Sequence, residues 1–102
     1  MAAKLITVYW RDIPAQVIAK KGRESAKAML SGRFQEAIDR AAMRAGRGSS
    51  DAYLADWRRE TRACGDDLRA EADAAAAVLE EAYSADDLDR LAKAKGARRE
   101  GS

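Results

Sequence analysis

The sequence predicts an α+β fold, a small antiparallel sheet followed by three to four helices, from three observations. Residues 5–10 and 15–20 are rich in β-branched and apolar side chains and flank a turn-like stretch, which is typical of a β-hairpin. From residue 33 onward, apolar residues recur at helical spacing. A chain of 102 residues has room for one core, so we expect a single domain over residues 1–95 and a disordered tail over residues 96–102.

The first strand carries large side chains on both of its faces. Strand alternation places Leu5 and Tyr9 on one face and Ile6 and Trp10 on the other. Because both faces carry bulk, we expect this strand to lie centrally in its sheet, with helices on one face and further cover needed on the other. Residues 25–30 fit a third strand or the first turn of a helix, and we favour a strand.

The helical part of the chain begins with an amphipathic segment over residues 33–45. Phe34 and Ile38 lie on its apolar stripe, and Gly46 is placed to end it. Residues 51–62 predict a second helix with Tyr53 and Trp57 on one face.

Two further helices are predicted after Gly65, which interrupts the pattern. Asp66 and Asp67 begin a third helix that runs to about residue 82. Ser84 and Asp87 then have the spacing of a capping box in front of a fourth helix.

The composition argues against most kinds of catalytic and metal site. The chain has one Cys and no His, so it lacks the ligands of a zinc site and the usual base of a Ser or Cys nucleophile. We therefore expect no metal, no cofactor and no catalytic residue, although two carboxylates acting as acid and base keep an enzyme open as an alternative. The lone Cys64 and the lack of a long apolar run or signal-peptide pattern predict a cytoplasmic protein that does not bind membranes.

Charge is divided along the chain. Residues 1–50 contain 10 basic and 4 acidic side chains, whereas residues 51–102 contain 9 basic and 13 acidic ones. The acidic third helix is either a solvated face or a surface that docks on a basic one, in this chain or in a partner. Nucleic acid is not expected as a partner, because the acidic segment would repel phosphates.

Six residues are candidates for binding a partner or ligand. The predicted hairpin carries aromatic, cationic and acidic side chains close to its turn, and the second helix adds an aromatic residue followed by a cation; the candidates are Trp10, Arg11, Asp12, Gln16, Trp57 and Arg58. The same residues also suit ordinary roles, since Asp12 is a common turn residue and the indole rings suit a core. Both interpretations remain open from the sequence.

Three segments resemble the small bacterial "virulence factor" domain family. They are residues 8–17 (VYWRDIPAQV), 33–46 (RFQEAIDRAAMRAG) and 53–58 (YLADWR), and the resemblance covers about residues 4–82. Similar segments stand alone or form the C-terminus of longer HEAT-repeat proteins called conserved virulence factor C. The resemblance implies a third strand before the first helix. It also implies that genes of stand-alone relatives lie near genes for one-carbon, methyltetrahydrofolate and corrinoid methyl-transfer proteins. It supplies no catalytic residue.

These observations together favour a non-enzymatic accessory domain that binds a protein through the hairpin and one helix face. The resemblance suggests that this protein is an enzyme of one-carbon or methyl-transfer metabolism. One alternative is a small ligand-binding or catalytic module for an anionic, folate-like ligand, using Arg11, Asp12 and an acid of the third helix. Another is self-association, in which the basic half of one copy meets the acidic helix of the next.

Overall fold

The computed structural model of the chain describes residues 2–46 and 50–96, and these form a four-stranded antiparallel sheet with four helices. The elements are β1 (Ala3–Trp10), β2 (Ile13–Lys21), β3 (Glu24–Met29), α1 (Gly32–Arg44), α2 (Ser50–Ala55), β4 (Trp57–Cys64), α3 (Leu68–Ala82) and α4 (Ala85–Lys93). The predicted α+β class, the hairpin and the third strand are confirmed.

The strands lie in the order β3-β2-β1-β4, so β1 is a central strand, as its two bulky faces predict. The β1–β2 pairing contains a bulge. Val8 lies opposite Gln16 and Tyr9 opposite Pro14, which leaves Ala15 as an extra residue on β2. Proline suits this position because a bulge interrupts the hydrogen-bond ladder that its missing N–H would otherwise break.

The predicted helix over residues 51–62 is wrong in its second half. The helix ends at Ala55, and Trp57–Cys64 is the fourth strand, which pairs with β1 along its whole length. The spacing of Tyr53, Trp57 and Thr61 imitates a helical stripe. However, pairing with β1 supplies the backbone hydrogen bonds of this segment, and such tertiary pairing outweighs a weak local pattern. Gly65 therefore separates a strand from α3 and does not end a helix.

Two apolar clusters hold the helices on the sheet. The first joins α1 and α4 near the β1–β2 turn and includes Trp10, Phe34, Ile38 and Leu88. The second lies under α3, where Ala72 packs against side chains of β1 and β2, namely Leu5, Val17 and Ala19. One face of β1 and β2 is thus covered by α3.

The helix boundaries follow the expected capping residues. Gly46 has a φ of 72° just after α1, a conformation that glycine adopts without strain. The Asp67 side chain accepts a hydrogen bond from the backbone N–H of Ala70. Ser84 and Asp87 form the predicted capping box of α4.

The chain beyond α4 returns to the β1–β2 turn. Gly96, the first residue of the expected tail, is buried, and its carbonyl accepts a hydrogen bond of 2.9 Å from the backbone N–H of Asp12. Residues 97–102 lie outside the described residues. Within the described ranges, no helix has the length and apolar character needed to cross a membrane.

Candidate functional site

Arg11 lies in the β1–β2 turn and ties it to two distant segments. Its backbone N–H donates to the carbonyl of Asp56 over 3.1 Å, and its guanidinium lies 3.2 Å from the Asp56 carboxylate. A second guanidinium nitrogen donates to the carbonyl of Lys95 over 2.9 Å. Arg11 adopts a φ of 55°, which is unusual for a side chain of this size, and these contacts hold it there.

Arg58 on β4 forms the other half of this cluster. Its guanidinium lies 4.4 Å from the centre of the Tyr9 ring, and Nε donates to the Arg11 carbonyl over 2.6 Å. Its two terminal nitrogens pair with Asp12 at 3.1 Å and Glu60 at 2.5 Å. Burial disfavours the charged guanidinium, but the two carboxylates outweigh it and raise the pKa of Arg58. The candidates Arg11, Asp12 and Arg58 are thus engaged with each other and with neighbouring residues.

Trp10 lies in the core. Its side chain is 0% exposed, its Nε1–H donates to the carbonyl of Tyr53 over 2.9 Å, and the Tyr53 ring stacks on it at 5.9 Å between centroids. Trp57 is half-buried and meets the same Tyr53 ring edge-on at 5.7 Å. Helix α2 therefore covers both indole rings, and Trp10 is out of reach of a partner in this structure.

The sheet face opposite α3 carries exposed and half-buried side chains apart from the buried Val8, and we call it the open face. Alternation and register place on it the strand residues Lys4, Ile6, Val8, Gln16, Ile18, Lys20, Ser25, Lys27, Met29, Arg59, Thr61 and Ala63. The two faces of β2 differ clearly in burial. Val17 and Ala19, under α3, are 0% exposed, whereas Gln16 and Ile18 are half-buried and Lys20 is exposed.

The open face combines an aliphatic centre with a basic surround. Ile6 and Ile18 lie opposite each other on neighbouring strands, and Met29 at the margin is 66% exposed. Four exposed cations surround this centre, and a fifth, Arg23, lies in the adjoining β2–β3 turn; the four are Lys4, Lys20, Lys27 and Arg59. This pattern resembles the fully desolvated centre and polar rim of a protein interface.

Acidic residues are confined to the other side of the sheet. The four strands, all within the described ranges, contain two acidic residues, Glu24 and Glu60. Glu60 lies opposite Thr7 and faces a groove beside α3, and Glu24 lies near the start of α3 with Asp66. Lys21, which alternates away from the open face, is 3.2 Å from the Asp66 carboxylate. The strand acids therefore lie only on the side of α3, whereas strand cations such as Lys21 lie there as well as on the opposite face.

A groove of about 280 Å³ runs between α3 and β4 on the covered side. Leu5, Thr7 and Tyr9 of β1 line it together with Glu60 and Arg62 of β4 and a wall of α3 that includes Val78, which is 64% exposed. Helix α3 packs on β1, β2 and β3, so both faces of β4 are exposed over most of its length.

Cys64 and Asp87 of α4 each have a pKa that is shifted by immediate neighbours. Cys64 is half-buried at the end of β4, and burial, together with the nearby Glu71 carboxylate, raises the pKa of its thiol. Asp87 belongs to the capping box, where the backbone N–H of Ser84 and the Arg90 guanidinium lower the pKa of its carboxyl. A raised thiol pKa lowers the reactivity of Cys64 at neutral pH.

Besides Trp10 and Trp57, which contact Tyr53, the predicted binding residues divide between two places. Arg11, Asp12 and Arg58 meet at the β1–β2 turn, whereas Gln16 lies on the open face opposite Val8 and Met29. The cations of the open face were not predicted as a group, because they are far apart in the sequence. For Lys20, the alternation in residues 15–20 was an available signal. Small or β-branched residues stand at the odd positions, and polar or larger ones stand at the even positions.

A family model described as "Virulence factor" matches residues 8–92, which includes the sheet and all four helices except the first five residues of β1 and the end of α4. Neither a curated protein nor a solved structure matches the chain.

Proposed function

The chain belongs to the virulence factor family, and we propose that it is a non-enzymatic accessory domain that binds another protein through its open face. A cytoplasmic setting is part of this proposal and rests on the single cysteine, which has no second cysteine in the chain to form a disulfide with.

The observation that carries the proposal is the composition of the open face. Its centre is aliphatic, with Ile6 and Ile18 in direct opposition, and four cations border it without any acidic strand residue on the same side. Two of these cations, Lys4 and Lys20, lie opposite each other, although like charges in this position destabilise a sheet. In the isolated domain this repulsion costs stability, whereas the carboxylates of an anionic partner would offset it.

The partner that fits this face is a protein surface with an apolar centre and acidic margins. Carboxylates of the partner would meet the lysines, and its apolar side chains would remove the isoleucines from water. A protein is favoured over single-stranded nucleic acid because the half-buried centre of the open face is aliphatic, whereas protein surfaces that bind single strands present aromatic rings on which bases stack. The choice of an enzyme of one-carbon or methyl-transfer metabolism as that partner rests on the family resemblance alone.

The alternative of an anionic, folate-like ligand at Arg11 and Asp12 has less support. The Arg11 guanidinium lies against Asp56 and the Lys95 carbonyl, and the Asp12 carboxylate accepts from Arg58. A ligand at this place would compete with Asp56 for Arg11 and with Arg58 for Asp12, which reduces the net free energy that it could gain there.

Affinity capture from the native cell lysate with three forms of the full chain tests the proposal. The forms are the wild type, Lys20→Glu on the open face, and Lys95→Glu, which reverses another exposed lysine outside that face. We expect a protein that the wild type and Lys95→Glu retain equally and that Lys20→Glu loses.

Direct titration of the purified captured protein should then give an affinity at least about tenfold weaker for Lys20→Glu than for Lys95→Glu, a difference of about 1.4 kcal/mol. Equal binding by both variants would overturn the open face as the binding site. Retention of nucleic acid in place of a protein would overturn the class of partner.

A further inference from the structure

The outer edge of β4 is an unpaired strand edge in the described structure. β4 has eight residues, and the sheet order places it at the margin with β1 as its neighbour. An edge of this kind presents a row of backbone N–H and C=O groups that can pair with another strand. β4 contains no proline, and its residues are exposed except for the half-buried Trp57 and Cys64 at its ends.

The opposite edge of the sheet is protected differently. β3 has six residues, and the Arg69 guanidinium of α3 donates to the carbonyl of Lys27 over 2.9 Å. A long cationic side chain placed across an edge strand in this way obstructs the approach of another strand. Among the described hydrogen bonds, no side chain outside β4 donates to a backbone carbonyl of β4.

The side chains of β4 are complementary to a second, antiparallel copy of β4. A two-fold axis perpendicular to the sheet keeps the open faces of both copies on one side, so residues of the same face must meet. With the axis at Thr61, Glu60 of each copy lies opposite Arg62 of the other, and the two Thr61 side chains lie opposite each other. Opposite charges and threonine pairs in direct opposition both stabilise antiparallel strands.

Neighbouring registers place like charges together. An axis at Glu60 brings the two Glu60 side chains into opposition, and an axis at Arg59 or Arg62 does the same with two arginines. The register centred on Thr61 avoids these repulsions. It also uses a Glu60 carboxylate that is 58% exposed and paired on one side with Arg58, so the carboxylate can accept from a second arginine.

We infer that two copies of this chain join edge to edge through β4, in antiparallel register about Thr61, to form a continuous eight-stranded sheet. The contact is isologous, because Glu60 of each copy pairs with Arg62 of the other. The open faces of the two copies become one surface. The α3–β4 grooves meet along the contact between the two β4 strands, which we call the seam. This inference does not depend on the proposed function, because the open face stays free in the dimer.

Molecular mass in solution tests this pairing, measured by sedimentation velocity at low salt from about 5 μM to about 1 mM, a range suited to a weak interface. We expect the wild type to double its mass with rising concentration. Glu60→Arg and Arg62→Glu should each remain monomeric, because each places like charges across the seam. An equimolar mixture of the two variants should form a heterodimer, because all four seam charges are then opposed by their opposites.

Glu24→Arg is the matched control, since it makes the same reversal on the other edge strand and should dimerise like the wild type. A wild type that stays monomeric up to about 1 mM would overturn the inference, as that excludes even a millimolar dissociation constant. Two other results would overturn it as well: variants that remain monomeric when mixed, or a Glu24→Arg protein that loses dimerisation. The mixing result separates the seam from a folding defect, since a misfolded variant gains no partner by mixing.

Discussion

Lys4 on β1 and Lys20 on β2 lie directly opposite each other on the open face, and both side chains are exposed. Strand neighbours in this position have their Cβ atoms about 5 Å apart, so the two ammonium groups repel each other within the folded domain. Fold stability alone gives no reason for this pair. The pair therefore suits a surface whose charge serves binding.

The first prediction is that Lys20→Glu stabilises the domain. The substitution replaces a repulsion with an attraction to Lys4, and the free energy of unfolding should rise by about 0.2–1 kcal/mol. Urea unfolding at low salt measures the change, and high salt should reduce it. Lys27→Glu is the control, because Lys27 lies opposite Ile18 and no lysine lies directly opposite it. A less stable Lys20→Glu protein would contradict the prediction.

The second prediction concerns Trp10. Phenylalanine in its place removes the Nε1–H that donates to the Tyr53 carbonyl and leaves that carbonyl without its indole donor. We expect the free energy of unfolding to fall by about 1–3 kcal/mol, the cost of an unsatisfied buried polar group. Trp57→Phe, at a half-buried ring, should cost less. Urea unfolding followed by circular dichroism compares the two, and an equal loss in both variants would argue against a special role of the Trp10 hydrogen bond.

The third prediction concerns Gly96, where the chain returns to the β1–β2 turn. Its φ is 83°, and an added Cβ would lie 2.8 Å from Cζ3 of Trp10. Gly96→Ala should therefore lower the free energy of unfolding by about 1–3 kcal/mol through backbone strain and the clash with the ring. Gly32→Ala, where an added Cβ meets nothing within 4 Å, should leave stability unchanged or higher. Equal stability of Gly96→Ala and the wild type would show that Gly96 is not held against Trp10 in solution.

The elements that the sequence predicted well are those whose signals are local. Ser84 and Asp87 are three residues apart, and their capping box forms within one helical turn. The bulk on both faces of β1 correctly predicted a central strand, because each face must be covered by side chains brought from elsewhere. These predictions required no knowledge of distant residues.

β4 and the open face were missed because both depend on distant pairing. Trp57 lies opposite Trp10, a residue 47 positions earlier, and both faces of β4 are exposed, so no hydrophobic alternation marks it as a strand. The cations of the open face come from three sequence regions, represented by Lys4, Lys20 and Arg59, and the strand register alone brings them together. In the sequence their charges are visible, but their shared face is not.

The last prediction concerns Glu80 of α3, which binds residues at the start of α1. Its carboxylate accepts hydrogen bonds from the backbone N–H of Ser31 over 2.5 Å and from the Ser31 hydroxyl over 3.0 Å, and it pairs with the Arg33 guanidinium at 3.2 Å. Burial acts to raise the pKa of Glu80, but these hydrogen bonds and the arginine outweigh it and lower the pKa.

A pKa that is lower in the folded than in the unfolded chain stabilises the fold at every pH above the unfolded value, which is about 4.3 for glutamate. That contribution is lost as the pH falls through the folded value. Glu80→Gln should therefore unfold more easily than the wild type at pH 7, and the difference between the two should shrink as the pH falls below about 4.

Urea unfolding from pH 7 to pH 3 measures this difference, with Glu81→Gln, an exposed neighbour on the same helix, as the control. A stability difference that stays constant over this range would show that Glu80 acts through packing and not through its charge. A control that loses as much stability as Glu80→Gln would show that the loss reflects the general charge of α3. The expected outcome, a pH-dependent loss confined to Glu80, identifies the contact with Ser31 and Arg33 as an electrostatic link between α1 and α3.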